Sequence, residues 1–210
     1  MSRRLVNITL DNLGDLAPRC RSCVFWELDP VAGERARETG GTDLEKEAWV
    51  SDTLLEWGSC GKLAYVDSAP AGFVLFAPPA YVPRSVAFPT SPVSPDAVLL
   101  MTARVLPEFA GAGLGRMLVQ AVVGDVARRG LKAVEAFGTP HVDEADDNHT
   151  CVLPSDYLLA VGFKTVRPHP KFPRLRLDVK STVSWKEDVE YAIDRLFASI
   201  SPTPSVVSRS

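Results

Sequence analysis

Three glycines stand at alternate positions, Gly111, Gly113 and Gly115, directly before a segment with helical periodicity. Because glycine has no Cβ, a ligand can approach the backbone closely and several N–H groups can turn toward one point. The first turn of a helix adds amide groups without a helical acceptor and the positive end of the helix dipole. These features suit a phosphate, so the spacing predicts a binding site for a phosphorylated cofactor.

The cysteines suggest a second kind of chemistry. Cys20-x-x-Cys23 has the spacing of half a zinc site, but a structural zinc ion needs four ligands. No second Cys-x-x-Cys and no paired histidine follows at the usual spacing, and four cysteines are too few for a disulfide framework. We therefore predict plain thiols and no bound metal.

The hydrophobic pattern predicts the elements that must position these residues. The predicted strands cover residues 5–10, 62–67, 71–77, 98–105, 133–137, 163–167 and 174–179. The predicted helices cover residues 42–57 (with Thr42 and Glu45 as a capping box), 114–129, 155–161 and a C-terminal segment from Ser184. Residues 13–41 are predicted to be irregular around a short helix. The six prolines from Pro78 to Pro95, both included, predict a long loop without regular structure.

Residues Val105 to Leu118, VLPEFAGAGLGRML, resemble the cofactor signature of the GNAT superfamily of acyl-CoA-dependent N-acetyltransferases. In that signature a strand ends near a proline, and Arg/Gln-x-x-Gly-x-Gly is followed by a leucine three residues on. The four places are occupied here by Ala110, Gly113, Gly115 and Leu118. A second segment, Tyr157 to Phe163 (YLLAVGF), is similar to the family's short helix before a Gly-Phe pair and the final hairpin. The order of elements resembles the family over roughly residues 5–180.

The resemblance implies an α/β (α+β) fold with a mixed, mostly antiparallel central sheet flanked by helices. The strands at 98–105 and 133–137 would separate there and form a slot for acyl-CoA. We expect this acetyltransferase domain to cover residues 1–180. An additional helix at 181–200 would pack on the domain or form a dimer contact, and residues 201–210 would be a disordered tail.

The same resemblance implies acetyl-CoA as cosubstrate and names the residues that would bind it. Ala103, Arg104 and Val105 would pair with the pantetheine arm, and the residues that would hold the pyrophosphate are Gly111, Ala112, Gly113, Leu114, Gly115 and Arg116. Ala110 stands where the family has Arg or Gln, so binding would depend on backbone amides. Arg116 would add a charge contact or lie as an exposed helix arginine.

The implied reaction is direct transfer of an acetyl group from acetyl-CoA to a primary amine of a small molecule or a protein. The acceptor side would be built from residues 13–41 and the proline-rich loop. As general base we consider Glu135, whose alternatives are a solvent-facing or a cation-paired carboxylate, and Glu27, whose alternative is a solvated helix face. As general acid we consider Tyr157 and Cys151, whose alternatives are a packing tyrosine and a buried inert thiol. The family's frequent catalytic tyrosine is replaced by Leu158.

One polar loop adds a hypothesis about the acceptor. Its charged residues are Asp143, Glu144, Asp146 and Asp147, with His141 and His149 nearby. A solvated loop is one interpretation. Attraction of a cationic amine is the other, because the loop follows the strand that would border the slot.

Composition excludes other classes of protein. The formal net charge is −3 and no basic stripe is present, which excludes a nucleic-acid footprint. Neither a secretory signal nor a run of about 20 apolar residues is present, so we expect a cytoplasmic protein without membrane contact. A dinucleotide-binding oxidoreductase is disfavoured because Arg116 stands where its fingerprint needs Gly or Ala. An acyl-CoA-binding sensor or scaffold with weak or no catalysis is the alternative function, favoured mildly by Ala110 and Leu158.

Overall fold

An eight-stranded sheet organises the part of the chain that this computed structural model describes, residues 2–140 and 151–179. Its strands are β1 (Arg3–Asn7), β2 (Gly61–Val66), β3 (Ala69–Ala77), β4 (Ala97–Val105), β5 (Ala133–Thr139), β6 (Leu153–Pro154), β7 (Lys164–Arg167) and β8 (Arg174–Asp178). Their order is β1-β2-β3-β4-β5-β8-β7, and β6 pairs with the end of β5. The pairs β4–β5 and β5–β6 are parallel, and the other pairs are antiparallel.

Helices cover both faces of the sheet. They are α1 (Pro18–Arg21), α2 (Pro30–Thr39), α3 (Thr42–Trp57), α4 (Leu114–Arg128) and α5 (Ser155–Ala160). Trp26 and Trp49 belong to one buried cluster with Phe73, whereas Val122 and Leu158 belong to another on the opposite face. Residues 10–57, which contain α1 to α3, are called the N-terminal layer below. This architecture confirms the predicted mixed fold with flanking helices.

The start of α3 differs from the prediction. Gly41 is the N-cap, no side chain caps the helix, and Thr42 is already its first residue. The capping box of Thr42 and Glu45 is therefore wrong. Glu45 and Asp43 lie in the first turn, where a carboxylate interacts favourably with the positive end of the helix dipole.

Residues 13–41, predicted to be irregular around a short helix, instead contain α1 and the ten-residue α2, which the Asp29 side chain caps. The remaining differences are confined to short elements. The first strand lies at Arg3–Asn7 rather than 5–10, and the two-residue β6 has no counterpart in the prediction. The proline-rich loop contains two 3-10 helices, Pro79–Tyr81 and Pro83–Ala87. Each begins with a proline, whose missing N–H is no loss in a first turn.

Two expectations lie outside the described residues. The acidic loop with His141 and His149 is one of them. The C-terminal helix at 181–200, with its dimer contact, and the disordered tail at 201–210 are the other, and they stay predictions. In the portion that is described, no helix is long and apolar enough to cross a membrane.

Strand β4 contains a β-bulge close to the point where it separates from β5. Leu75 and Phe76 are consecutive in β3, yet they pair with Thr102 and Leu100, so Met101 has no partner in β3. An extra residue of this kind reverses the alternation of side chains and increases the twist of the strand. β4 therefore changes direction at the point where it leaves its other neighbour, β5.

Candidate active site at the gap between two strands

The gap begins where β4 and β5 stop pairing. They pair only over residues 97–99 of β4 and 133–135 of β5, although β4 continues to Val105 and β5 to Thr139. Beyond Leu99 none of the described strands pairs with this edge of β4, and β6 is the strand that approaches it. The edge therefore presents backbone N–H and C=O groups to which an extended ligand can bind as an added strand.

The glycine turn, residues 111–115, follows the end of β4. Gly111 and Gly113 have φ of +75° and +74°, a left-handed conformation that favours glycine, and a Cβ added at either would meet nothing within 4 Å. Open space therefore lies in front of the turn. Gly113 is the N-cap of α4, and Met117 N–H donates to its carbonyl oxygen at 3.1 Å. The N–H groups of the residues before Met117 have no acceptor inside the helix, as is general for a first helical turn. The glycine turn therefore fits a pyrophosphate that is bound by backbone N–H groups.

Gly115 has a different role in the turn. A Cβ there would lie 3.1 Å from the Tyr157 hydroxyl oxygen and 3.2 Å from its ring, so a larger residue at this position would displace the tyrosine by a few tenths of an ångström. The Tyr157 hydroxyl donates to the Gly115 carbonyl oxygen at 3.2 Å, and burial raises the pKa of Tyr157. Arg116 donates to the Ala160 carbonyl oxygen at 3.2 Å. Tyr157 and Arg116 thus connect α5 to the first turn of α4.

An aromatic stack joins the N-terminal layer to the proline-rich loop and to β5. The Trp26 ring lies 5.1 Å from Phe88 and 6.2 Å from Phe137, and all three rings are nearly parallel. The indole N–H of Trp26 also donates to the Cys151 carbonyl oxygen at 3.0 Å. The segments that the resemblance assigns to the acceptor side therefore pack against each other beside the gap.

Glu27 lies in a buried ion pair. It is 3% exposed, and its Oε1 accepts from the ammonium of Lys46, which is 1% exposed. Its Oε2 accepts from the Trp26 N–H at 3.1 Å, and Lys46 Nζ also donates to the Cys23 carbonyl oxygen at 3.0 Å. Both oxygens of this candidate base are therefore bound by donors of the protein. This burial excludes the solvated helix face that the sequence offered as the alternative, and the role of Glu27 as general base stays a prediction.

Glu135 is fully buried and also paired. Its Oε1 accepts from Arg176 at 3.1 Å, and its Oε2 accepts from Arg174 at 2.9 Å and from the Ser94 N–H at 3.1 Å. Arg176 further contacts Asp96 through two hydrogen bonds of 3.0 Å. The cation-paired alternative describes this residue, which fixes β8 and the end of the proline-rich loop to β5.

One cysteine of the N-terminal layer contacts a cysteine that lies far from it in sequence. The Sγ atoms of Cys23 and Cys151 are 3.2 Å apart, and Cys151 comes two residues before β6. Cys20 is buried nearby, and burial raises the pKa of its thiol while the positive charge of Arg104 lowers it. Across residues 2–140 and 151–179, no group of three His, Cys, Asp or Glu side chains is placed to hold a metal ion.

A cavity of about 190 Å³ lies at the far end of β4. Its lining includes Asp15 and Arg21 from the N-terminal layer, Phe73 from β3 and Leu106 after β4. The Tyr65 hydroxyl donates to Asp15 at 2.5 Å. The cavity is thus an apolar recess with one anionic and one cationic side chain at its wall.

Sequence reasoning missed the partners of its candidates. Lys46 lies on the same buried face of α3 as Trp49, Val50 and Thr53. A lysine at helical spacing from apolar residues was therefore a local signal for a buried charge. The contact of Cys23 with Cys151 spans 128 positions and has no local signal. The arginines of β8 belong to a strand that was predicted, but their partner on β5 depends on sheet order.

The fold and the site define a class of protein. An open edge of β4, followed by a glycine turn at a helix N-terminus, is suited to an extended cofactor that carries a pyrophosphate. The sequence profile described as "Acetyltransferase (GNAT) family" matches residues 24–150. The chain belongs to this family, and the family's acetyltransferases use acetyl-CoA.

Solved structures agree on the fold. The chain is similar to the PaiA N-acetyltransferase of Thermoplasma acidophilum, solved with coenzyme A, at 12% identity and a TM-score of 0.53, covering 85% of this chain and 99% of that one. It is similar to a GNAT-family protein of Desulfovibrio desulfuricans at 18% identity and a TM-score of 0.52, with coverage of 85% and 99%. An N-acetyltransferase of Staphylococcus aureus Mu50 has 12% identity, a TM-score of 0.53 and the same coverage. No curated protein sequence matches the chain.

Proposed function

We propose that this acetyltransferase moves an acetyl group from acetyl-CoA directly to a primary amine. The observation that carries the proposal is the early separation of β4 and β5, with the glycine turn at the end of β4. A thioester bound along β4 and an acceptor amine bound on the side of the N-terminal layer would meet in this gap. Direct transfer needs the two reactants held together, and this supplies much of the rate advantage.

In this proposal the cofactor is bound mostly by backbone. The open backbone edge of β4 at residues 103–105 pairs with the pantetheine amides, and the pyrophosphate is held by residues 111–116. A free N–H on the β4 edge near Ala103 stabilises negative charge on the thioester oxygen during the reaction. Arg116 is bonded to α5, so its part in this binding is support of the helix start.

In this proposal the candidate acids and bases stabilise the site through hydrogen bonds within the protein rather than transfer protons. Glu27 and Glu135 have both oxygens bound by the protein, and Tyr157 donates to the turn that holds the pyrophosphate. Cys151 comes two residues before β6, the strand that approaches the open edge of β4. We therefore propose that the amine arrives deprotonated, or loses its proton to water, and that binding and orientation supply most of the catalysis.

The cavity at the end of β4 is the proposed entry of the acceptor. Asp15 would attract a cationic amine before it loses its proton, and the apolar wall would receive the rest of the molecule. Asp15→Asn should raise the KM for a cationic amine roughly threefold to tenfold with little change in kcat. An unchanged KM for every active amine would place the acceptor elsewhere.

The experiment that tests the reaction measures binding and product separately. Thermal unfolding with acetyl-CoA, CoA or NAD should show stabilisation by the two CoA species and none by NAD. Mass spectrometry of a panel of amines (protein N-termini, lysine, polyamines and aminoglycosides) should then show acetylated product for at least one class. Stabilisation without any product supports the sensor or scaffold alternative, and no stabilisation by either CoA species contradicts both.

Direct transfer has a test of its own. Protein incubated with radiolabelled acetyl-CoA and no acceptor, then separated from free ligand and denatured, should carry no label. A stable label on Cys23 or Cys151 would instead show that the acetyl group passes through an enzyme thioester.

A further inference from the structure

Cys23 and Cys151 are placed for a covalent bond between their thiols. Their Sγ atoms lie 3.2 Å apart, against about 2.05 Å in a disulfide, so a shift of roughly 1 Å would bring them to bonding distance. Both side chains are half-buried, so a small oxidant can reach the pair. Cys60, in contrast, is fully buried.

The backbone around each thiol is fixed by groups other than sulfur. The Cys151 carbonyl oxygen accepts from the Trp26 indole, and the Cys23 carbonyl oxygen accepts from buried Lys46, each at 3.0 Å. Trp26 is itself held in the stack with Phe88 and Phe137. The two sulfurs are therefore brought together by the packing of the N-terminal layer against the residues that precede β6.

The two thiols differ in acidity. The pKa of Cys23 is lowered to about 6, chiefly by the hydrogen bond with Cys151 and also by a bond from the Phe25 N–H, while burial acts in the opposite direction. The bond with Cys23 and burial together raise the pKa of Cys151. These opposite shifts make Cys23 the more acidic thiol of the pair. A thiolate is the form that attacks peroxides and disulfides.

We propose that Cys23 and Cys151 are an oxidation site, which hydrogen peroxide converts to an intramolecular disulfide and a dithiol reductant restores. The site goes beyond acetyl transfer and does not depend on it. The disulfide would join the segment between α1 and α2 to the residues that lead into β6 beside the gap.

Hydrogen peroxide oxidises the two thiols in two steps. The Cys23 thiolate attacks one peroxide oxygen, the O–O bond breaks, and hydroxide leaves and takes a proton to become water, which gives a sulfenic acid on Cys23. The Cys151 sulfur then attacks the Cys23 sulfur, its proton and the hydroxyl group leave as a second water, and the S–S bond forms. One peroxide is reduced and two thiols are oxidised. A dithiol reductant reverses the result by thiol–disulfide exchange.

The primary test is a peptide map, because trypsin places the four cysteines on four separate peptides, 20–21, 22–35, 47–62 and 133–164. After treatment of the full chain with hydrogen peroxide and alkylation of free thiols, peptide 22–35 should be linked to 133–164 in a protein that stays monomeric on a non-reducing gel. Dithiothreitol should remove the link, and Cys60→Ser should leave it unchanged. A link between 20–21 and 22–35, a link only between two chains, or no link would overturn the proposal.

The order of the steps is tested with a trap for sulfenic acid. In Cys151→Ser, peroxide should produce a dimedone adduct on peptide 22–35, because the introduced hydroxyl can still donate a hydrogen bond to the Cys23 thiolate and no second thiol is left to form the disulfide. In Cys23→Ser the adduct on 133–164 should be at least about tenfold weaker. The reverse ratio would contradict the assignment of Cys23 as the reactive thiolate.

A measurement on the unsubstituted chain covers the case in which these variants do not fold. Alkylation of peptide 22–35 by a limited amount of iodoacetamide should rise with pH to half its maximum near pH 6, since thiolate forms above the pKa. Peptide 47–62 should stay unmodified in the folded protein, because burial raises the pKa of Cys60 to about 12. Equal reactivity of the two peptides, or a half-maximum near pH 9 for the first, would overturn the proposal.

Discussion

The glycine turn leads into α4 on one face of the sheet, the N-terminal layer packs on the other face, and the two are built in different ways. The turn is made of backbone, with two glycines in a left-handed conformation and open space in front of them. The layer is held by paired side chains, among which Lys46 and Glu27 are almost completely buried. A backbone site depends on local conformation, whereas a side-chain site depends on what the fold brings together. The two should therefore respond differently to substitution, one in ligand affinity and the other in stability.

The largest effect is expected from the buried ion pair. Lys46→Met should lower the free energy of unfolding by about 3–5 kcal/mol, because it leaves the Glu27 carboxylate buried without its cation. Urea unfolding measures the change. Arg37→Met is the matched control, since the Arg37–Glu34 pair in α2 is exposed on both sides and should cost about 0–1 kcal/mol.

The double variant sharpens this result. Lys46→Met with Glu27→Leu should recover most of the stability that Lys46→Met loses, because no uncompensated charge remains in the core. The folded fraction of each variant should still be stabilised by acetyl-CoA. If Lys46→Met were as mild as Arg37→Met, side-chain pairing would not be what holds the N-terminal layer.

The second largest effect is expected on the affinity for acetyl-CoA when Gly113 is replaced. Gly113→Val places a β-branched residue at a φ of +74°, a strain of about 1–3 kcal/mol that the turn would relieve by moving its amides. The Kd for acetyl-CoA should rise roughly tenfold or more, as measured by calorimetry. Gly130→Val, at a φ of +73° after the other end of α4, carries the same strain away from the gap. It should cost similar stability and leave the Kd unchanged, and equal Kd values for the two variants would contradict a backbone site.

The same contrast explains what the sequence could predict. The glycine turn and the strand before it are encoded in one continuous segment, residues 97–115, and the order of strands and helices follows from the hydrophobic period. The ion pairs of Glu27 and Glu135 and the contact of two thiols are long-range, so only the fold reveals them. The wrong capping box at Thr42 has a local cause, because Gly41 takes the N-cap position one residue earlier. Lys46 is intermediate, since its place on an apolar stripe was visible but its partner was not.

The smallest effect is expected at Tyr157, a side chain that contacts the backbone of the glycine turn. Tyr157→Phe removes the hydrogen bond to the Gly115 carbonyl oxygen, which should cost about 1 kcal/mol of stability. Because burial raises the pKa of Tyr157 and its hydroxyl already has an acceptor, we expect kcat to fall by less than about tenfold. A general acid contributes roughly 100-fold or more, so a loss of that size, with a kcat that no longer varies with pH above neutrality, would assign Tyr157 to proton transfer. A small loss with a weaker Kd for acetyl-CoA would assign it to the support of the glycine turn, and the backbone site would then depend on a side chain after all.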